Sequence, residues 1–426
     1  MTPVALVPLA PSDALDLFAR TRARSAALAA PLSPEDTMLQ SMEDASPVKW
    51  HLAHTTWFFE EFILKPRAPD YVSHDDDFAF LFNSYYVQAG PRHVRDRRGL
   101  VSRPGGEAVR DYRAHVEAEL ARLMEADRDD AGEIAGLVEL GCHHEMQHQE
   151  LMVTDLLHGL SFNPLMPVYK DPSPLPVTSE VPLTWTRHEG GLVEIGHHGR
   201  GFAYDCEGPR HQVYLAPYEI ADRPVTNRDW IAFMEDGGYD DARLWLMEGH
   251  AVREREGWDH PLYWWRQDGA WWTYTLRGPQ PVALEAPVVH VSYYEAEAYA
   301  RWAGAQNGDG ARLPTEAEHE VAFRDVAIAG NFLDRGEGIG ALRPLPGPGV
   351  WGDVWEWTAS DFAPYPGFRP PEGALGEYNG KFMVNQRVLR GGSCATPRDQ
   401  MRATYRTFFY PHQRWQMMGL RLARGA

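Results

Sequence analysis

The stretch Gly141-Cys142-His143-His144-Glu145-Met146-Gln147-His148-Gln149-Glu150 decides how the chain is read. It closes a helical run that begins near Ala131. Steps of three and four residues put Leu137, Gly141, His144, His148, Leu151 and Asp155 on one helix face. Two imidazoles one turn apart, where leucines would ordinarily point, can bind one metal ion from a single helix. A lone histidine there reads as a hydrogen-bonded core or surface residue. The pair inside an apolar stripe, flanked by Glu145 and Glu150, reads as two metal ligands.

The preceding sequence supplies helices for this one to face. Ser12 to about Ala29 has helical periodicity, with Ser12 as its expected N-cap and Pro31 as its stop. Ser33-Pro34-Glu35-Asp36 reads as a second start, and Ser46-Pro47 as a third that leads into Val48–Glu60. There His54 shares a face with Trp50, His51, Trp57, Phe58 and Glu61. A polar, irregular segment from Lys65 to Gly106 holds Asn83-Ser84-Tyr85-Tyr86 and an arginine cluster (Arg92, Arg95, Arg97, Arg98 and Arg103). Arg110 to Leu123 and Gly132 to Gly159 are the remaining long helices. Long helices joined by polar connections predict an antiparallel bundle, whose core can build a metal site.

Composition changes after Asn163. Pro164, Pro167, Pro172, Pro174, Pro176 and Pro182 suit an extended linker. Beyond it, Trp230–Met234, Ser292–Trp302 and Thr315 towards Arg324 look helical among short strand-like runs. This half is expected to be a loop-rich α+β domain.

At 426 residues the chain exceeds one hydrophobic core, so two domains are expected. The 44% apolar and 24% charged content is that of a soluble globular protein. A net charge of −19, without a basic face, argues against nucleic acid or an anionic membrane as partner. Cys142, Cys206 and Cys394 are too few and too far apart for a disulfide framework, which suits a reducing cytosol. The first eight residues lack a basic start and a sustained apolar core, so no signal peptide is read and a cytoplasmic location is expected.

Catalytic metals usually take at least three protein ligands and keep a position open. One continuation is a zinc metallopeptidase through His144-Glu145-x-x-His148, with Glu145 as general base. It needs a downstream ligand, and the helix instead runs out near Gly159. The other completes an all-histidine triad with His54. Three neutral imidazoles suit Fe(II), Zn, Cu or Ni by softness, and ligand type alone does not choose.

Leu52-Ala53-His54, followed by His144–Glu150, resembles the DinB-type bundle of the ergothioneine-biosynthesis sulfoxide synthases. The second half resembles their formylglycine-generating-enzyme-like (sulfatase-modifying-factor) domain, which is C-type-lectin-like. Its marks are Arg312-Leu313-Pro314-Thr315-Glu316-Ala317-Glu318, Gly352-Asp353-Val354-Trp355-Glu356-Trp357-Thr358, Arg390-Gly391-Gly392-Ser393 and Gly419-Leu420-Arg421-Leu422. Phe82-Asn83-Ser84-Tyr85-Tyr86, Gly376–Phe382 and Asn385-Gln386 match as well. The matches run in order over nearly the whole chain.

The resemblance implies a mononuclear non-haem Fe(II) held by His54, His144 and His148. The family uses O2 to join a thiol to imidazole C2 of N-alpha-trimethylhistidine, giving a sulfoxide. Gln147 resembles the glutamine that hydrogen-bonds the histidine-derived substrate. Tyr85 and Tyr86 resemble the tyrosine pair of the subgroup that accepts free cysteine, one phenol serving as proton donor. From the residues themselves, Arg95 and Arg103 are the choices to orient a carboxylate-bearing donor. Arg406-Thr407-Phe408-Phe409 stands in the family's trimethylhistidine pocket, with Trp415 nearby as aromatic wall.

Three departures mark a divergent branch: Thr407 replaces an expected Asn, Met417-Met418 replace an aromatic and a small residue, and His319 replaces Trp. One such branch resembles the selenoneine synthases, so the donor is cysteine, gamma-glutamylcysteine or a selenosugar. A structural Ca2+ in the second domain is compatible with the sequence. Two further readings stay open: a formylglycine-generating oxidase, which needs a cysteine pair where only Cys394 stands, and a metal-free binding module. The expected organisation is a DinB-like four-helix bundle over 1–165, a linker over 166–184 and the formylglycine-generating-enzyme-like α+β domain over 185–426.

Overall fold

A proline, not the expected Ser12 cap, starts the first helix: α1 (Pro11–Ala29) has Ala10 as N-cap and no side-chain cap. Proline's fixed φ suits the first helical position, and its missing N–H is one fewer donor to satisfy. The computed structural model describes residues 9–173, 179–336 and 338–426, so the leader reading of the first eight residues, with Pro174 and Pro176, lies outside the described residues.

The chain divides into two compact units that do not follow chain order. Unit 1 runs to Phe162 and takes in His198–Ala203 and Arg369–Gly380; unit 2 holds Asn163–His197, Tyr204–Phe368 and Lys381–Ala426.

In unit 1, Ser33 and Asp36 cap one another with backbone–side-chain hydrogen bonds of 3.2 and 3.1 Å, but only a 3-10 turn, Asp36–Met38, follows. Helix α2 (Val48–Phe59) starts behind Pro47, and every one of its side chains is buried. It runs into a π-helical turn, Glu60–Leu64, and a last turn α3 (Lys65–Arg67). Then come the short α4 (Phe78–Phe82), α5 (Gly106–Glu125) and α6 (Ala131–Ser161). The four long helices make the expected bundle: α6 lies along α1 and α2, and α5 lies along α2. Gly141 permits the close approach of α2 to α6, because a Cβ there would stand 2.4 Å from Cε1 of Phe59.

Unit 2 carries β1 (Trp185–His188), β2 (Gly191–Ile195), β3 (His211–Leu215), β4 (Tyr218–Ala221), α7 (Asn227–Glu235) and α8 (Met247–Glu256). After these come β5 (Trp264–Gln267), β6 (Ala270–Thr275), β7 (Gly278–Pro281), α9 (Tyr293–Asn307), α10 (Glu316–Phe323), β8 (Gly330–Asn331) and β9 (Trp351–Gly352). The last strands are β10 (Trp355–Asp361), β11 (Arg387–Arg390), β12 (Thr407–Phe409), β13 (Met418–Gly419) and β14 (Ala423–Gly425). They form small sheets, the largest ordered β12-β11-β10-β13. Helices α7, α9 and α10 each open on a reciprocal capping box: Thr226 with Asp229, Ser292 with Glu295 and Thr315 with Glu318.

The motifs of this half are interior ties. Arg421 grips Glu356 at 2.8 Å, while Arg390 and Arg406 share Glu316 at 2.9 and 2.8 Å. His319, where the resemblance leads one to expect Trp, donates its Nε2–H to Glu356 at 3.1 Å. The proline-rich stretch, where described, has no helix or strand before β1 and belongs to unit 2. Tyr169 and Lys170 donate backbone N–H groups to Leu276 at 3.0 and 2.9 Å.

Candidate metal centre

Helix α2 places His54 one turn after Trp50 and one turn before Trp57. The Trp50 ring stacks on it at 4.5 Å between centroids and the Trp57 ring at 5.5 Å, so two indoles hold its plane. Its Nδ1 lies 2.6 Å from the Phe82 carbonyl at the end of α4. A carbonyl only accepts, so Nδ1 carries the hydrogen and Nε2 presents a lone pair. Helix α6 brings His144 and His148 against it, one turn apart. Their ring centroids lie 5.0 and 4.7 Å from that of His54, and the ligand atoms of all three fall within 4.8 Å of one another.

These rings are not satisfied by protein. Nε2 of His54 and both ring nitrogens of His144 are buried without a hydrogen-bond partner among the described residues. Each such orphan costs about 1–3 kcal/mol. Burial pushes His144 down to about 3 and holds His54 and His148 well below the ordinary imidazole range. At neutral pH all three are therefore uncharged, the form that ligates metals. Converging neutral donors with orphaned lone pairs fit a metal ion, and His148 is the partly accessible member of the three.

Around the triad, Phe58 packs on His144 at 4.4 Å, and the Arg98 guanidinium lies 3.5 Å from the centre of the Trp50 ring. Tyr378, from the Arg369–Gly380 segment of unit 1, meets His144 edge-on at 5.7 Å and donates its hydroxyl to Oε1 of Gln147. Glu377 in the same segment accepts the backbone N–H groups of Val87 and Gln88 at 3.0 and 2.9 Å. It thereby ties down the loop carrying the tyrosine pair, which Asn83 pins from within through Tyr86. Tyr85 stacks on Tyr86 at 4.5 Å, and Tyr86 is one ring removed from the triad, against Trp57 at 5.6 Å.

Of the arginines expected at the site, Arg95 and Arg103 are exposed. Arg95 is paired with Asp44, and it is Arg98 that is drawn beside the triad, donating to Ser46 Oγ at 3.0 Å. Thr407, Phe408 and Phe409 form edge strand β12 of unit 2. There Phe408 stacks on Phe362 at 3.9 Å, and Phe409 meets the buried Trp415 at 5.9 Å. Met417 and Met418 fill the interior of unit 2, Met418 in register with Trp355.

The peptidase reading fails on Glu145. Only 1% exposed, its side chain takes Arg22 at 2.9 Å, Arg113 at 3.3 Å and Ser25 Oγ at 2.6 Å. Although burial pushes it up, the two guanidiniums hold its carboxyl down to about 2, useless as a base for a metal-bound water. Sequence reasoning placed His51, Asp155, Trp50 and Trp57 on the histidine faces but gave them no role, and quoted Tyr378 only as part of a motif.

Residues 17–152 match the DinB superfamily, and residues 176–337 and 348–426 match the sulfatase-modifying factor enzyme 1-like domain. The chain is 34% identical to the hercynine oxygenase of Mycolicibacterium smegmatis, over 89% of its own length and 91% of that protein. It belongs to the hercynine oxygenase family. The enzyme of that name from Mycobacterium tuberculosis is 31% identical over 95% of this chain and 97% of its own. The formylglycine-generating enzyme of Streptomyces coelicolor, 32% identical, matches only 49% of the chain. The DinB match takes in all three histidines. The three cysteines are buried, and none forms a disulfide among the described residues.

Proposed function

We propose that this chain is a mononuclear non-haem Fe(II) sulfoxide synthase of the ergothioneine type, joining a sulfur donor to imidazole C2 of N-alpha-trimethylhistidine with O2. The observation that carries it is the triad: three converging neutral imidazoles, two of them with unpartnered buried nitrogens, in a hercynine oxygenase relative. Fe(II), held by His54, His144 and His148, would supply the activation of O2, with O2 itself as the source of the oxidising equivalents. The chain's own residues orient substrates and move protons. Tyr378 fixes the amide of Gln147, the group assigned to the substrate imidazole. Tyr85, Tyr86 and Tyr378 are the phenols that can give a proton near the triad. Arg98, desolvated against Trp50, is better placed than Arg95 or Arg103 to take a donor carboxylate. Phe408, Phe409 and Trp415 are assigned to the trimethylammonium group.

A selenosugar donor is the second reading, and Thr407 is the residue that favours it. It stands where the family carries Asn, and it keeps a partly exposed side chain while Met417 and Met418 are interior.

The test uses anaerobically iron-loaded protein with trimethylhistidine, O2 and the three donors (cysteine, gamma-glutamylcysteine and a selenosugar) in competition, products being read by mass spectrometry. A sulfoxide adduct is expected. A preferred selenium adduct moves the chain to the second reading, and no adduct from any donor overturns the substrate assignment. Elemental analysis of the same preparation reports whether Ca2+ accompanies iron.

A further inference from the structure

The three ligands are not equivalent in what stands behind them. His148 Nδ1 lies 2.8 Å from Nδ1 of His51, and His51 Nε2 lies 3.3 Å from Oδ2 of Asp155. That carboxylate oxygen is itself set by the backbone N–H of Ser46 at 2.9 Å. A carboxylate can only accept, so His51 carries its hydrogen on Nε2 and offers the Nδ1 lone pair; His148 must then donate from Nδ1 and present Nε2 outward. One tautomer at each ring satisfies the whole line. By contrast, His54 donates to a neutral carbonyl, and Nδ1 of His144 has no partner among the described residues.

We infer that His51 and Asp155 are positioning residues for the metal: an Asp155–His51–His148 relay that fixes the tautomer of His148 and makes it the most electron-rich ligand of the triad. A carboxylate acting through one imidazole on another pushes negative charge toward the metal-facing nitrogen, and such outer partners typically govern affinity by about 10- to 100-fold. The ring of His51 is buried and stacked edge-on to Trp50 at 5.6 Å, so it is held in line rather than free to swing. This inference rests on the triad being a metal site, but not on which donor is used.

The test is Co(II) binding to the full-length apo-protein, followed by chelator competition and by the visible ligand-field bands of the complex. His51→Leu, which fills the space without an acceptor, is expected to weaken Co(II) about 10- to 100-fold and to shift the bands. His51→Asn returns an acceptor oxygen near the Nδ1 position and is expected to recover most of the affinity. Asp155→Asn keeps an acceptor but removes the charge, and is expected to shift the bands with a smaller loss. A merely structural role predicts lower thermal stability with wild-type bands and affinity in every folded variant, and that outcome overturns the relay. Should His51→Leu fail to fold, unchanged bands and affinity in Asp155→Asn overturn it alone. Wild-type protein that takes up no Co(II) overturns the metal reading itself, which separates the two failures.

Discussion

Glu145 stands next to His144 of the triad and does a different job. It closes a buried ion triad with Arg22 and Arg113, and removing one partner of such a group leaves uncompensated charge. Glu145→Gln is expected to cost about 3–5 kcal/mol in urea unfolding, yet to leave metal stoichiometry intact. His54→Ala and His148→Ala should do the reverse, abolishing stoichiometric Fe(II) uptake while the apo-fold persists, as elemental analysis and circular dichroism would report. Phenylalanine at Tyr85, Tyr86 or Tyr378 tests the proton donor. The variant that loses it is expected to divert turnover from coupling to thiol oxidation, and unchanged product ratios in all three would remove phenols from the mechanism. At this scale His144 and His148 were legible from spacing, and His54 from the motif around it. The choice of Arg95 and Arg103 over Arg98 shows what was not. Charge clusters are visible in sequence, but which member is buried depends on the packing of Trp50 and Ser46 around it.

Among the elements, α6 is the one most constrained. It meets α1 and α2 along its length, which is why so few of its positions are exposed. Gly141→Ala forces a Cβ into the Phe59 ring and is expected to cost about 1–3 kcal/mol by thermal or urea unfolding. Gly132→Ala, exposed with nothing within 4 Å, is expected to stabilise by up to about 1 kcal/mol. Equal effects at the two positions would contradict the packing described. The long helices were legible because their apolar periods are long. Ser12 misled because Pro11 beside it starts a helix without a side-chain cap. Helix α8 was missed because Met247-Glu248-Gly249-His250-Ala251-Val252-Arg253-Glu254-Arg255-Glu256 has almost no apolar stripe; only Gly249 and Val252 are buried in it.

For the whole molecule, the triad links stability to pH. The unfolded chain protonates its imidazoles as pH falls below the ordinary value of 6.5, whereas in the fold His144 resists until about 3 and its two partners are depressed as well. The unfolded state thus binds more protons below 6.5, so apo-protein stability must fall there, by up to about 1.4 kcal/mol per pH unit for each ring. Urea midpoints of the apo-protein should rise towards that pH and level off above it. A flat profile would mean that the rings are solvated. The two-part α+β organisation was legible from the change of composition after Asn163, but the return of Arg369–Gly380 to unit 1 was not. Tyr378 meets Gln147 across 231 residues of chain, and nothing local records such a contact. That return has a consequence for biosynthesis. At ordinary rates of about 5–20 residues per second, the ribosome releases the bundle helices roughly 10–45 s before Gly380 follows. Until then the imidazoles are on offer without the phenol, and divalent copper or zinc outbids Fe(II) for such nitrogen donors. On the proposed metal reading, the ion that the newborn chain would take is therefore set by what the cell supplies during that interval, before the last piece of the centre exists.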